Sequence, residues 1–107
     1  RMLGALNQGE ETPMAQMKRF IIEREIPGIG QMSVTELCGA ARASNQALTQ
    51  IGSGIQWQHS YVAGDKTFCV YLADSEDAIR KHSELSGIPV TSITEVPQVI
   101  DPLTANN

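Results

Sequence analysis

The sequence predicts an α+β fold, in which two helices are interleaved with four strands. Three observations support this prediction. Capping residues mark two helix starts, glycines follow both predicted helix ends, and the remaining apolar runs are short and largely alternate with polar residues. At 107 residues the chain is expected to form a single domain over 17–107. Residues 1–16 lack sustained periodicity and are predicted to be a tail, or a remnant ahead of the native start.

The first half of the domain is predicted to be a strand and a helix. Residues 18–26 alternate, with Phe20 and Ile22 on one face. Ser33 and Glu36 have the spacing of a capping box, so a helix should begin immediately after Ser33. Its apolar positions recur at helical spacing as far as Ile51, and a glycine ends it.

The second half is predicted to contain a hairpin, a second helix and a last strand. The strands are predicted at 55–62 and 66–73, the helix between a cap at Asp74 or Ser75 and a stop at Gly87, and the fourth strand at 89–96. This β-α-β-β-α-β order is that of the ferredoxin-like motif. It predicts an antiparallel sheet with both helices on one face.

The uncovered face of such a sheet predicts a partner. Two helices cover one face only, and the strands contain apolar residues for more than one buried surface, among them Phe20, Ile22, Trp57 and Tyr61. An exposed apolar sheet face is a liability that a second copy of the chain removes. We therefore expect a homodimer formed through the sheets.

Composition excludes several classes of function. The net charge of −4 and the pI near 5.0 argue against nucleic acid and anionic membrane surfaces, which need clustered basic residues. No apolar run approaches the ~20 residues of a membrane span. The two cysteines are too few for a disulfide framework, so reduced thiols and a cytoplasmic location are expected. No motif indicates an organic cofactor.

Candidate metal ligands cluster in one stretch of the sequence. The only two histidines, His59 and His82, lie on either side of Cys69, on two strands and the helix that follows them. Glu23 on the first strand is the nearest plausible carboxylate by topology. Imidazole suits nickel, zinc and copper, and thiolate favours the softer metals. The spacing matches no standard zinc signature, so the prediction depends on whether the side chains converge.

Convergence of these side chains depends on the turn between the two strands of the hairpin. A three-residue loop, 63–65, would pair Tyr61 with Thr67 and place His59 opposite Cys69. A two-residue turn would pair Tyr61 with Phe68 instead and send the two ligands to opposite faces, because strand side chains alternate. Gly64 suits positive φ in either turn. We favour the three-residue loop.

The chain resembles a known bacterial family over residues 17–104. The resemblance is carried by M-K-R-F-I-I-E-R-E-I-P-G and by the frame H-S-Y-V…K-x-x-C-V-Y…H-x-x-x-x-G-x-P. The family comprises small ferredoxin-like proteins of largely unknown function and includes an actinobacterial nickel-binding member. It implies a homodimeric α+β barrel with metal held by histidines near the sheet, and we match His59, Cys69 and His82 to the frame. This chain has no histidine in its first strand or first helix.

Three functions therefore remain open at this stage. The first is binding of a divalent transition metal (nickel, zinc or copper) without catalysis. The second is an enzyme of the dimeric α+β barrel type, with a small apolar substrate between sheet and helices and a histidine as general base. The third is a non-catalytic binding module in which the histidines and the cysteine are packing residues. We favour the metal-binding protein.

Overall fold

The computed structural model describes residues 16–106 and confirms the predicted α+β class and element order. The predicted tail, 1–16, lies outside the described residues except for Gln16. Four strands form one antiparallel sheet in the order β2-β3-β1-β4. The elements are β1 Lys18–Glu25, α1 Val34–Ile51, β2 Ile55–Ala63, β3 Lys66–Ala73, α2 Glu76–Ser86 and β4 Ser92–Val96, with short 3₁₀ turns at Ile29–Gln31 and Pro102–Asn106.

The two helices begin in different ways. α1 has the predicted capping box: Ser33 Oγ accepts from the Glu36 backbone N–H at 3.1 Å, and Glu36 Oε1 accepts from the Ser33 N–H at 2.9 Å. Ser75 precedes α2 without a side-chain cap bond. Instead, two acidic residues in the first turn of α2 stabilise its N-terminal end by interacting with the helix dipole. No helix among residues 16–106 is both long and apolar enough to cross a membrane.

Both helices pack on one face of the sheet, which we call the inner face. Its core consists of Phe20, Ile22, Cys69, Tyr71 and Ala73 from the strands with Ile79 from α2. Strand alternation places other apolar residues on the opposite, outer face: Ile21, Phe68, Val70 and Leu72. Of the residues named for a second buried surface, Phe20, Ile22 and Trp57 therefore belong to the inner face.

The hairpin register differs from the favoured prediction. β2 and β3 pair Tyr61 with Phe68 across a two-residue turn, so the three-residue loop is wrong. Gly64 takes φ 63° in this turn, the conformation that a tight two-residue connection needs. Contacts from the loop after β1 fix the turn: the Ile26 N–H donates to the Asp65 carbonyl at 2.7 Å, and the Gly30 N–H to the Gly64 carbonyl at 2.8 Å.

A second irregularity lies within β2. The pairing register shifts between Trp57 and His59, as in a β-bulge. Trp57 pairs with Tyr71 on the inner face, and His59 pairs with Val70 on the outer face. Counted from the turn, a regular strand would place both side chains on the outer face, so the bulge turns Trp57 towards the core.

The fourth strand begins three residues later than predicted, at Ser92. The preceding segment curves around the buried side chain of Arg24, whose Nη1 donates to the carbonyls of Ile88 at 3.2 Å and Pro89 at 2.9 Å. Thr91 then joins the sheet edge by donating its N–H to the Glu23 carbonyl at 2.8 Å. Pro89 has no N–H for a strand ladder, so pairing starts after it.

Candidate functional site

The structure separates the four predicted metal ligands into two pairs. Glu23 and His59 lie on the outer face of the sheet, whereas Cys69 and His82 lie between the sheet and the helices. The predicted convergence of His59, Cys69 and His82 is therefore wrong within one chain. Across residues 16–106, no three side chains of His, Cys, Asp or Glu are grouped so that they could hold a metal ion.

On the outer face, His59 is an exposed imidazole supported by a tyrosine. Its Nε2 lies 3.1 Å from the Tyr61 hydroxyl, and the two rings meet edge to face with centroids 5.0 Å apart. With the proton on Nε2 donated to the hydroxyl, Nδ1 keeps its lone pair for a ligand. Histidine ligands of metals are held in this way, by a hydrogen bond at the second ring nitrogen.

Glu23 lies on the same face, two strands away from His59. Its Oε2 accepts from Lys66 Nζ at 2.9 Å, and both side chains are partly exposed. The hydrogen bond and the charge of Glu23 raise the pKa of Lys66 above its ordinary value. β3 separates β1 from β2, and neighbouring strands are roughly 4.8 Å apart. His59 and Glu23 therefore lie across the face from each other rather than in contact.

On the inner side, His82 is fully buried against the sheet, as predicted from its helical position. Its Nε2 lies 3.1 Å from Ser44 Oγ and 3.3 Å from the Ser44 carbonyl, and its ring centroid is 5.4 Å from that of Tyr71. Because a carbonyl only accepts, Nε2 must carry the proton, and Nδ1 has no hydrogen-bond partner in the described part of the chain. Burial first, and the charge of Arg24 second, lower the pKa of His82.

Cys69 lines a cavity of about 310 Å³ between the sheet, α1 and the loop before it. The thiol is buried and donates weakly to Thr67 Oγ1 at 3.5 Å. The walls are mainly apolar, with polar groups from Arg24, Ser44 and Tyr71 among them. Burial raises the pKa of Tyr71, so its hydroxyl stays protonated at neutral pH.

Arg24 is the inner residue that sequence reasoning missed. Its side chain is only 2% exposed, and Nη1 donates to Ser83 Oγ at 3.0 Å as well as to the two carbonyls after α2. Nη2 is buried and has no hydrogen-bond partner among the residues that the structure describes. The signal was present in the sequence: two-residue alternation places Arg24 on the same face as Phe20 and Ile22.

Comparison with known proteins identifies the family. The fold matches a solved structure described as SCO4226 from Streptomyces coelicolor A3(2), with a TM-score of 0.64 and 18% identity, covering 77% of this chain and 99% of that one. At this identity the match shows a shared fold, which agrees with the ferredoxin-like prediction. No curated protein matches the chain.

The family model gives the more specific result. A model described as "Nickel responsive protein SCO4226-like" matches residues 20–96, which run from β1 to the end of β4. The chain therefore belongs to the SCO4226-like family. This confirms the resemblance drawn from the strand and helix motifs, and the family description concerns nickel.

Proposed function

We propose that the protein binds a divalent transition metal, nickel foremost, on the outer face of its sheet, and that it does so as a homodimer in the cytoplasm. The observation that carries the proposal is His59: in a chain of a nickel-responsive family, it is an exposed imidazole on the sheet face that no described helix covers. The role proposed is binding, without catalysis and without an organic cofactor.

Electrostatics favour the outer face over the inner one. The outer face presents the carboxylates of Glu23 and Glu25 on β1, two strands away from His59, although Lys66 competes for Glu23. The inner side holds the buried guanidinium of Arg24, whose positive charge already lowers the pKa of His82. A divalent cation at His82 and Cys69 would lie near that charge without a carboxylate to offset it.

The homodimer supplies the ligands that one chain lacks. In an isologous dimer every residue occurs twice about the two-fold axis. Two facing sheets, arranged as an α+β barrel, would therefore contribute two His59 imidazoles and two Glu23 carboxylates to one shared surface. Nickel accepts both ligand types. Contact between the sheets would also bury Ile21, Phe68 and Leu72, which remain partly exposed in the single chain.

The apolar tail after β4 also supports a partner chain. Val99, Ile100 and Leu103 are 63%, 78% and 71% exposed. Asp101 Oδ1 accepts from the Leu103 N–H at 2.9 Å, so Leu103 belongs to an ordered turn, and Val99 and Ile100 lie directly before it. Apolar groups presented together in this way mark an interaction surface.

Calorimetric titration of untagged protein with NiCl₂ tests the proposal. The wild type should bind nickel at a ratio of one or fewer ions per chain, and His59→Ala should weaken binding by at least about tenfold. Gln58→Ala, an equally exposed neighbour on the same strand, is the matched control and should bind like the wild type. Equal binding by the wild type and His59→Ala would refute the outer-face site.

A further inference from the structure

The cavity between the sheet and α1 is a separate site from the outer face. Its volume of about 310 Å³ falls at the small end of ligand pockets, which span roughly 300–1,000 Å³. Apolar side chains form most of its wall, including Ile29, Met32, Leu37 and Trp57. Pockets of this kind fix their ligands with a few polar groups in an otherwise apolar wall.

Arg24 provides the charged group of this cavity. Its Nη1 is fully used, because it donates to Ser83 Oγ and to two backbone carbonyls within 3.2 Å. These bonds hold the guanidinium in place. Nη2, on the same planar group, is buried and has no acceptor. Buried donors are almost always paired in folded proteins, so this one calls for an acceptor that the described residues do not supply.

Among residues 16–106, the charge of Arg24 is also uncompensated. All of its hydrogen-bond partners are neutral, and the residues that line the cavity include no aspartate or glutamate. A buried arginine normally has a carboxylate or phosphate partner, which its guanidinium can bind through two N–H groups. The charge acts on a neighbouring group, because burial first and the charge of Arg24 second lower the pKa of His82.

We propose that this cavity binds a small monocarboxylic acid with an apolar body, whose carboxylate accepts a hydrogen bond from Arg24 Nη2 and whose hydrocarbon part packs against α1 and Trp57. The size of the cavity limits the ligand to a short or medium hydrocarbon chain or a single ring. The mainly apolar wall argues against a phosphorylated or sugar-like ligand, which would bring more polar groups than the wall can satisfy. The site concerns the inner side of the sheet and does not depend on metal binding outside.

Octanoate and 1-octanol form a matched pair of probes, because they share the hydrocarbon chain and differ in the carboxylate. Calorimetry on the full untagged chain should show octanoate binding at least about thirtyfold more tightly than octanol, as expected when a buried charge loses its partner. Equal affinity for the two probes would overturn the carboxylate assignment. Absence of octanoate binding would overturn the site itself.

Two pairs of variants locate the ligand. Arg24→Gln should weaken octanoate binding by about thirtyfold or more, whereas Arg42→Gln, an exposed arginine of α1, should not.

Arg24→Gln also removes bonds that hold the segment after α2, so a second pair avoids this residue. Ala41→Leu extends a side chain into the cavity and should weaken binding about tenfold or more. Ala43 in the same helix does not line the cavity, so the Ala43→Leu variant should bind octanoate like the wild type. Octanoate binding that is unchanged in Ala41→Leu would overturn the proposal.

The two cysteines report the position of the ligand directly. Cys69 lines the cavity, whereas Cys38 is exposed on the outside of α1. Octanoate at saturation should slow modification of Cys69 by a thiol reagent and leave the rate at Cys38 unchanged, with mass spectrometry assigning each site. A rate at Cys69 that octanoate does not change would place the ligand elsewhere and contradict the proposal.

Discussion

The inner and outer faces of the sheet carry opposite kinds of chemistry on the same strands. On β1, Arg24 is buried at the inner side and its neighbour Glu23 is partly exposed outside. On β2 and β3, the buried Cys69 faces the helices while His59 faces away from them. Within the described part of the chain, the inner side has a positive charge without a counter-charge, and the outer side combines carboxylates with an exposed imidazole. Alternation therefore gives the two faces opposite charge, which is the basis for proposing an anion site inside and a cation site outside.

The two faces also differ in what holds their polar groups. Inner polar groups are fixed by several partners: His82 contacts Ser44 at two atoms, and Arg24 donates three bonds. Outer groups have one partner each, as in His59 with Tyr61 and Glu23 with Lys66. A binding site that must meet a second subunit or a solvated metal needs the second kind of side chain, since it is accessible as well as having free ligand atoms.

Removing a tyrosine from each face should give the largest difference in the free energy of unfolding. Tyr71 is 2% exposed and lies in the core, so Tyr71→Ala should lower the free energy of unfolding by about 3–5 kcal/mol. Tyr61 is 60% exposed, and Tyr61→Ala should cost less than about 1 kcal/mol at protein concentrations low enough to exclude dimers. Urea denaturation monitored by circular dichroism measures both. Comparable losses would mean that the two faces are equally buried.

A charge at the centre of the outer face should break the dimer. Val70 lies between Ile21 and His59 in the sheet, so Val70→Lys would place an ammonium group between the facing sheets. We expect the dissociation constant of the dimer to rise by roughly a hundredfold, or about 3 kcal/mol. Sedimentation velocity at several concentrations measures it. Val34→Lys, on an exposed position of α1, is the control; a wild type that is monomeric throughout would contradict the dimer.

The burial of His82 on the inner face should make the free energy of unfolding depend on pH. Because burial lowers the pKa of folded His82 below its ordinary value of 6.5, the unfolded chain takes up the proton first as pH falls. His82 therefore contributes stability that is present above pH 6.5 and is lost as pH falls below it, by at most ~1.4 kcal/mol per pH unit. His82→Gln should remove this slope from urea denaturation data between pH 7.5 and 5, and His59→Gln should retain it.

A smaller change in nickel affinity tests whether Lys66 competes with the metal for Glu23. Lys66 Nζ lies 2.9 Å from Glu23 Oε2, so Lys66→Met should free that carboxylate and raise nickel affinity several-fold. Lys81→Met removes the same charge from the exposed surface of α2 and should change affinity less. Calorimetric titration compares the two. A loss of affinity in Lys66→Met would show that the lysine supports the site instead of competing with it.

Much of the fold was predictable because its signals are local. The capping box at Ser33, the glycine after each helix and the alternation of β1 all act within a few residues, and the elements formed where these signals lie. The late start of β4 was not predictable in this way, because it depends on the long-range bonds from Arg24 to residues 88 and 89.

The candidate site was less predictable because it depends on register. A turn shorter by one residue, held by the loop after β1, decides that His59 and Cys69 face opposite ways, and a bulge beside Trp57 then returns Trp57 to the inner face. The bulge has no strong local signature, whereas Gly64 and Asp65 are residues typical of a two-residue hairpin turn. The burial of His82 was predictable from helical spacing. The alternation of β1 places Arg24 on the core face, and a positive charge in that position marks the residue as important.

X-ray absorption spectroscopy of the nickel-loaded, untagged protein tests the central claim most directly, because it identifies the atoms bound to the metal. Binding on the outer face predicts nitrogen and oxygen neighbours only, at roughly 2.0–2.2 Å, with an imidazole contribution that disappears in His59→Ala. A sulfur neighbour would place the metal at Cys69 on the inner side, and would contradict the division of the sheet into an outer cation-binding face and an inner anion-binding face.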